Sequence, residues 1–143
     1  MRAENTWRIN LDADQEITSV ETQYQTVSTA TKTKSILPTV FGLEGDLFYK
    51  FLDANMFSVI TRSKNDPTEL TFYLINGVTG RITHQFKQFN VSTNAQHSVC
   101  QLFTEQYYVF STMKKSGQGA DFHWQELAVV ELYSKKKVDN TWQ

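Results

Sequence analysis

Residues 69–87 run ELTFYLINGVTGRITHQFK, and this stretch decides the fold. It predicts a β-hairpin. The first arm, residues 70–75, carries Phe72, Tyr73, Leu74 and Ile75, all strand-favouring types. Apolar groups fall on both faces of this arm, which marks a central strand covered on both sides. The second arm alternates. Ile82, His84 and Phe86 are expected on one face, with Arg81, Thr83, Gln85 and Lys87 on the other. Between the arms lies Asn76-Gly77-Val78-Thr79-Gly80. The Asn76 side chain can accept from the backbone two residues on, as an Asx-turn. Thr79 can bond back across the turn. Gly80 is expected at φ > 0, which returns the chain to its partner strand. Asn76, Gly77, Thr79 and Gly80 are therefore the candidate structural-turn residues.

Moving outward, residues 47–52 (LFYKFL) and 56–61 (MFSVIT) predict strands joined by a turn at Asp53-Ala54-Asn55. Asn65-Asp66-Pro67 is a strong turn signal before the hairpin. After it, residues 90–96 are polar and loop-like. Residues 98–103 and 107–113 predict a second hairpin, closed by Thr104-Glu105-Gln106. Residues 114–119 form a basic, glycine-containing loop tip. Residues 122–133 (FHWQELAVVELY) include helix-favouring Gln125-Glu126-Leu127-Ala128. Val129 and Val130 are β-branched and no cap residue is well placed, so a strand is expected. Near the start, Trp7-Arg8-Ile9-Asn10-Leu11 alternates as a strand would, and Ile17-Thr18-Ser19-Val20 begins another. Residues 22–35, rich in Thr, Ser and Gln, are expected to be a long loop ended by Pro38 and Gly42.

The outline is all-β, a sandwich or a propeller. A strand, an Asn, a Thr-Gly and then a basic and an apolar residue is the pattern of an inner hairpin in a quinoprotein-type propeller blade. Residues 56–113 supply at least four strands in about one propeller repeat of roughly 40–50 residues. We expect residues 1–44 to hold peripheral strands and the Thr/Ser-rich loop, and residues 45–143 to be the β-propeller blade region. A propeller needs typically 4–8 blades. The 143 residues are expected to be a fragment or terminal piece of a larger one.

Net charge is −1 with no long block of one sign, so nothing electrostatic points to nucleic acid. Cys100 is the single cysteine, so no internal disulfide is possible. No apolar run approaches the ~20 residues of a membrane span. The start, MRAENTWRIN, lacks the apolar core of a secretory signal. His97-x-x-Cys100 has metal-like spacing, but a strand would turn the two to opposite sides and no second pair exists. His84 is expected to be a partly buried structural histidine, and His123 lies near a strand start. Asp12, Asp14 and Glu16 lack the glycine and spacing of a calcium loop. Lys114-Lys115 with Lys135-Lys136-Lys137 can form a basic patch, though such short runs are usually a solvated face. Core packing accounts for most of Tyr107, Tyr108, Phe110, Phe122 and Trp124. No catalytic, cofactor-binding or metal-binding residue is assigned, and no cofactor is expected.

Several runs together resemble one family. They are LFYKFLDANMFSVIT, TFYLINGVTGRITHQF, FTEQYYVFS and LAVVELY, in that order. Tyr49-Lys50-Phe51-Leu52 with Asn55, residues 73–82, residues 107–110 and residues 129–133 match motifs of the large first subunit of the endoplasmic reticulum membrane protein complex. The resemblance covers residues 45–134. It implies a non-enzymatic lumenal β-propeller segment of a membrane-anchored subunit. The implied partners are the other subunits and, through the complex, client membrane proteins whose transmembrane segments it inserts and stabilises. The alternatives are a generic propeller protein-interaction module or a fragment of a quinoprotein dehydrogenase. Such dehydrogenases commonly place two adjacent cysteines beside the quinone, and Cys100 stands alone. If the parent chain is lumenal, Asn90-Val91-Ser92 is a glycosylation acceptor, with Asn90 the modified residue.

Overall fold

The computed structural model describes residues 4–23, 39–41, 47–50, 53, 55–93, 99–104, 107–116 and 122–135. Among them the regular structure is all strand: β1 (Gln15–Thr22), β2 (Thr39–Phe41), β3 (Leu47–Lys50), β4 (Met56–Ser63), β5 (Leu70–Asn76), β6 (Ile82–Gln88), β7 (Val99–Phe103), β8 (Tyr107–Lys115), β9 (His123–Glu131) and β10 (Tyr133–Lys135). Three antiparallel sheets result, with strand orders β1-β4-β5-β6, β7-β8-β9 and β10-β3-β2. Residues 24–35 of the Thr/Ser/Gln stretch, Pro38, Gly42, His97, residues 117–119 and Lys136-Lys137 lie outside the described residues.

The hairpin is β5 and β6, and β5 is a central strand. Leu70, Phe72 and Leu74 face one side; Thr71, Tyr73 and Ile75 face the other, and all six are buried. The even-numbered side of β4 and β5 meets the β7-β8-β9 sheet. Phe72 stacks on Phe86 with ring centroids 5.0 Å apart and meets Phe110 at 4.5 Å. Tyr108 and Phe103 meet edge to face with ring centroids 5.6 Å apart. Met56, Ile60, Leu70, Leu74, Val91 and Leu132 complete this core. Each fully buried side chain of this size contributes about 1.5–3 kcal/mol of transfer free energy, so aliphatic and aromatic packing between the sheets both stabilise the junction.

A polar network crosses the same junction. Gln101 Oε1 accepts from the hydroxyls of Ser58 (2.7 Å) and Tyr108 (2.8 Å), while its Nε2 donates to Ser19 Oγ (2.7 Å). One side chain thereby ties β1, β4, β7 and β8. Burial pushes the Tyr108 phenol well above the usual tyrosine range, partly offset by the Ser58 hydroxyl.

Within residues 122–133, His123–Glu131 is strand and not helix, because β9 completes the third rank of a sheet whose middle strand is β8, and Tyr133 opens β10. Four expectations need correction. The alternating segment at Trp7–Leu11 is not a strand, although Trp7, Ile9 and Leu11 still turn inward at every second position. Ile82 does not share a face with His84 and Phe86. A register shift opposite Leu74/Ile75 pairs Ile82 with Ile75 and His84 with Leu74, so the two side chains oppose. His84 is exposed rather than partly buried, as β6 is the edge strand of its sheet. Lys114 belongs to β8 and is buried, so it is no part of a basic surface patch. Its Nζ donates to Gln88 Oε1 (2.5 Å) and Phe89 O (2.7 Å) and lies 3.4 Å from Glu126.

Candidate interaction surface

The side of the four-stranded sheet turned away from the aromatic core is apolar. Val59, Tyr73 and Ile75 are buried there, with Phe57 beside them. Two bulges add to it. In β1 the register shifts between Ile17 and Ser19, and Thr18 Oγ1 donates to Ile60 O (3.1 Å). Ile17 then pairs with Thr61 and Val20 with Val59, so both face the same side despite lying three residues apart. In β6 the bulge turns Ile82 to this side as well. Trp7, Ile9 and Leu11 lie across part of the face. What remains is an open groove of about 250 Å³ with an almost wholly apolar lining. Ile17 and Val20 on its rim are 55% and 53% exposed.

Trp7 fixes one end of the groove onto the hairpin turn. Its Nε1 donates to Gly77 O (2.7 Å), and its ring stacks on Phe57 at 6.3 Å. The turn beneath is closed by Asn76. Its Oδ1 accepts from the amides of Val78 (3.0 Å) and Thr79 (2.9 Å) and from Thr79 Oγ1 (3.0 Å). Its Nδ2 donates to Asp53 Oδ2 (2.6 Å). Gly80 has φ 70°, and its amide donates to Asn76 O (2.8 Å). A Cβ at Gly80 would lie 2.7 Å from Trp7 Cγ, and one at Gly77 would lie 2.9 Å from Asn55 O. The four turn residues thus form one unit with Trp7, a partner that the sequence places seventy positions away and gives no local signal for.

A second apolar face lies on the outer side of the β7-β8-β9 sheet. The registers align Leu102, Val109 and Val129 in one row, and Cys100, Ser111 and Leu127 in the next. Leu127 is 70% exposed and Val129 56%. Two sheets packed face to face, each with a further apolar face uncovered, is the arrangement of neighbouring blades within a longer ring.

The family model described as "ER membrane protein complex subunit 1, second beta-propeller" matches residues 1–143. The chain belongs to this family. A curated relative from Xenopus laevis, named ER membrane protein complex subunit 1, is 29% identical over 138 residues, covering 93% of this chain and 12% of the relative. One of the same name from Gallus gallus is 33% identical over 90 residues, covering 61% of this chain and 8% of the relative. The chain therefore spans about an eighth or less of these relatives, and its all-β structure is part of a β-propeller.

Within this propeller segment the other singled-out residues stay apart. Cys100 is exposed on β7, and His123 opens β9 and is exposed. Among the described residues no three of His, Cys, Asp and Glu are grouped to hold a metal ion. Nor is any helix long and apolar enough to cross a membrane. Asn90 follows β6 at the end of the sheet, exposed and at φ 58°.

Proposed function

We propose that this chain is a non-catalytic, lumenal scaffold segment of a membrane-anchored subunit in the endoplasmic reticulum membrane protein complex, which inserts and stabilises transmembrane segments of client proteins. The observation that carries the reading is the family match over residues 1–143. The two apolar faces fit a structural role. The groove under Trp7 receives the preceding blade of the same propeller, and the Leu127/Val129 face receives the following one. Buried apolar area between blades holds the ring rigid, and a rigid ring presents its outer loops to the other subunits.

The test uses the full-length parent carrying an affinity tag in cells. Other membrane-bound subunits of the complex should co-purify with it. Leu127→Glu combined with Val129→Glu should lower the amount of assembled complex, and a transmembrane reporter client should fall in step. Recovery of the parent free of other subunits would sink the reading. Undiminished assembly of the double variant would sink the assignment of that face.

A further inference from the structure

Asn90-Val91-Ser92 joins an exposed side chain to a hidden one. Asn90 is exposed at φ 58°, and its carbonyl accepts from the Lys115 amide (2.9 Å). Asparagine tolerates the left-handed region better than most residues, which by itself accounts for Asn at this position. It does not account for the hydroxyl two residues on. Val91 and Ser92 are 0% and 2% exposed. The Val91 amide donates to Thr68 O (3.0 Å), and the Ser92 amide donates to Met113 O (2.7 Å). Val91 also bridges Lys114. The acceptor asparagine thus faces solvent while the serine that completes the recognition triplet is buried, its amide paired to Met113 towards the end of β8.

We propose that Asn90 carries an N-linked glycan, and that it is attached before residues 113–115 close over Val91 and Ser92. The inference rests on the lumenal reading above. In the step, Asn90 Nδ2 bonds to the anomeric carbon of a lipid-diphosphate-linked oligosaccharide. The bond from that carbon to the diphosphate oxygen breaks, the diphosphate leaves with the electron pair, and Nδ2 gives up one proton. Recognition needs both Asn and Ser, so the folded chain cannot present the triplet. The exposed position of Asn90 lets the finished fold carry the glycan outward. The order of events is therefore fixed by burial: transfer first, pairing of β8 with the 90–92 segment second.

The experiment expresses the full-length parent in cells and compares it with Asn90→Asp, Ser92→Ala and Ser92→Thr. Asp keeps tolerance of the left-handed backbone, and Ala at position 92 removes only the hydroxyl. Both should migrate as one glycan fewer than the parent, with the difference abolished by endoglycosidase. Ser92→Thr should retain the glycan. Protease treatment of sealed microsomes locates the segment independently. Protection from protease with no mobility difference overturns the glycan and leaves the lumenal reading standing; digestion in sealed microsomes overturns both. For the timing, unmodified parent protein that has folded should resist transfer by detergent-solubilised microsomal transferase with lipid-linked donor, whereas a peptide of residues 86–96 accepts it. Equal modification of both would overturn the order proposed.

Discussion

Gly80→Ala is the most informative single change. It acts in two ways that can be separated. The first is local: φ 70° is a left-handed conformation, costing an L-residue roughly 1–2 kcal/mol. The second is tertiary: the new Cβ would sit 2.7 Å from Trp7 Cγ and Cδ2, so the indole must move. Moving it lengthens or breaks the Nε1 bond to Gly77 O, about 0.5–1.5 kcal/mol, and weakens the stack on Phe57, about 0.5–1.5 kcal/mol. The total is about 2–5 kcal/mol, a large share of the ~5–15 kcal/mol that keeps a domain folded. With a urea m-value of about 1–3 kcal/mol/M, the midpoint should fall by roughly 0.7–5 M. The assay is urea denaturation followed by far-ultraviolet circular dichroism, because Trp7 is itself varied. In a Trp7→Ala background the second contribution is gone, and Gly80→Ala should cost only the local ~1–2 kcal/mol. An equal cost in both backgrounds would refute the seating of Trp7 on the turn. No cost in either would refute the left-handed glycine as well.

Lys114→Ala should destabilise by about 1–3 kcal/mol in the same urea assay, because it leaves Gln88 Oε1 and Phe89 O without their donor. Tyr108 has a folded pKa raised above its unfolded value, chiefly by burial, so its contribution is full below the ordinary tyrosine pKa of ~10 and is lost as pH rises beyond it. Stability measured between about pH 10 and 12 should therefore fall less steeply for Tyr108→Phe than for the parent, by up to ~1.4 kcal/mol per pH unit. The isolated 143-residue chain should bind an apolar fluorescent dye, since Leu127 and Val129 lie open, and Leu127→Thr with Val129→Thr should reduce that signal.

Whatever depends on neighbours along the chain was legible in the residues alone. Period-two apolar runs and turn residues place β4, β5, β7, β8 and β9, and Asn76 to Gly80 declare both the Asx-turn and the left-handed glycine. Even Trp7, Ile9 and Leu11 show their inward alternation, although no strand forms there. The resemblance of residues 45–134 carried the family. Whatever depends on register emerged only with the paired strands. A bulge costs one residue and leaves no compositional mark, yet the shift at Thr18 brings Ile17 and Val20 to one side and the shift in β6 turns Ile82 to it, and so they build the groove. Lys114 looks like a loop cation until Gln88, Phe89 and Glu126 are brought around it. Ser92 looks as accessible as Asn90 until Met113 covers it. The physical reason is the same in each case: hydrogen-bond pairing between distant strands fixes which face a side chain takes, and local sequence fixes only that it alternates.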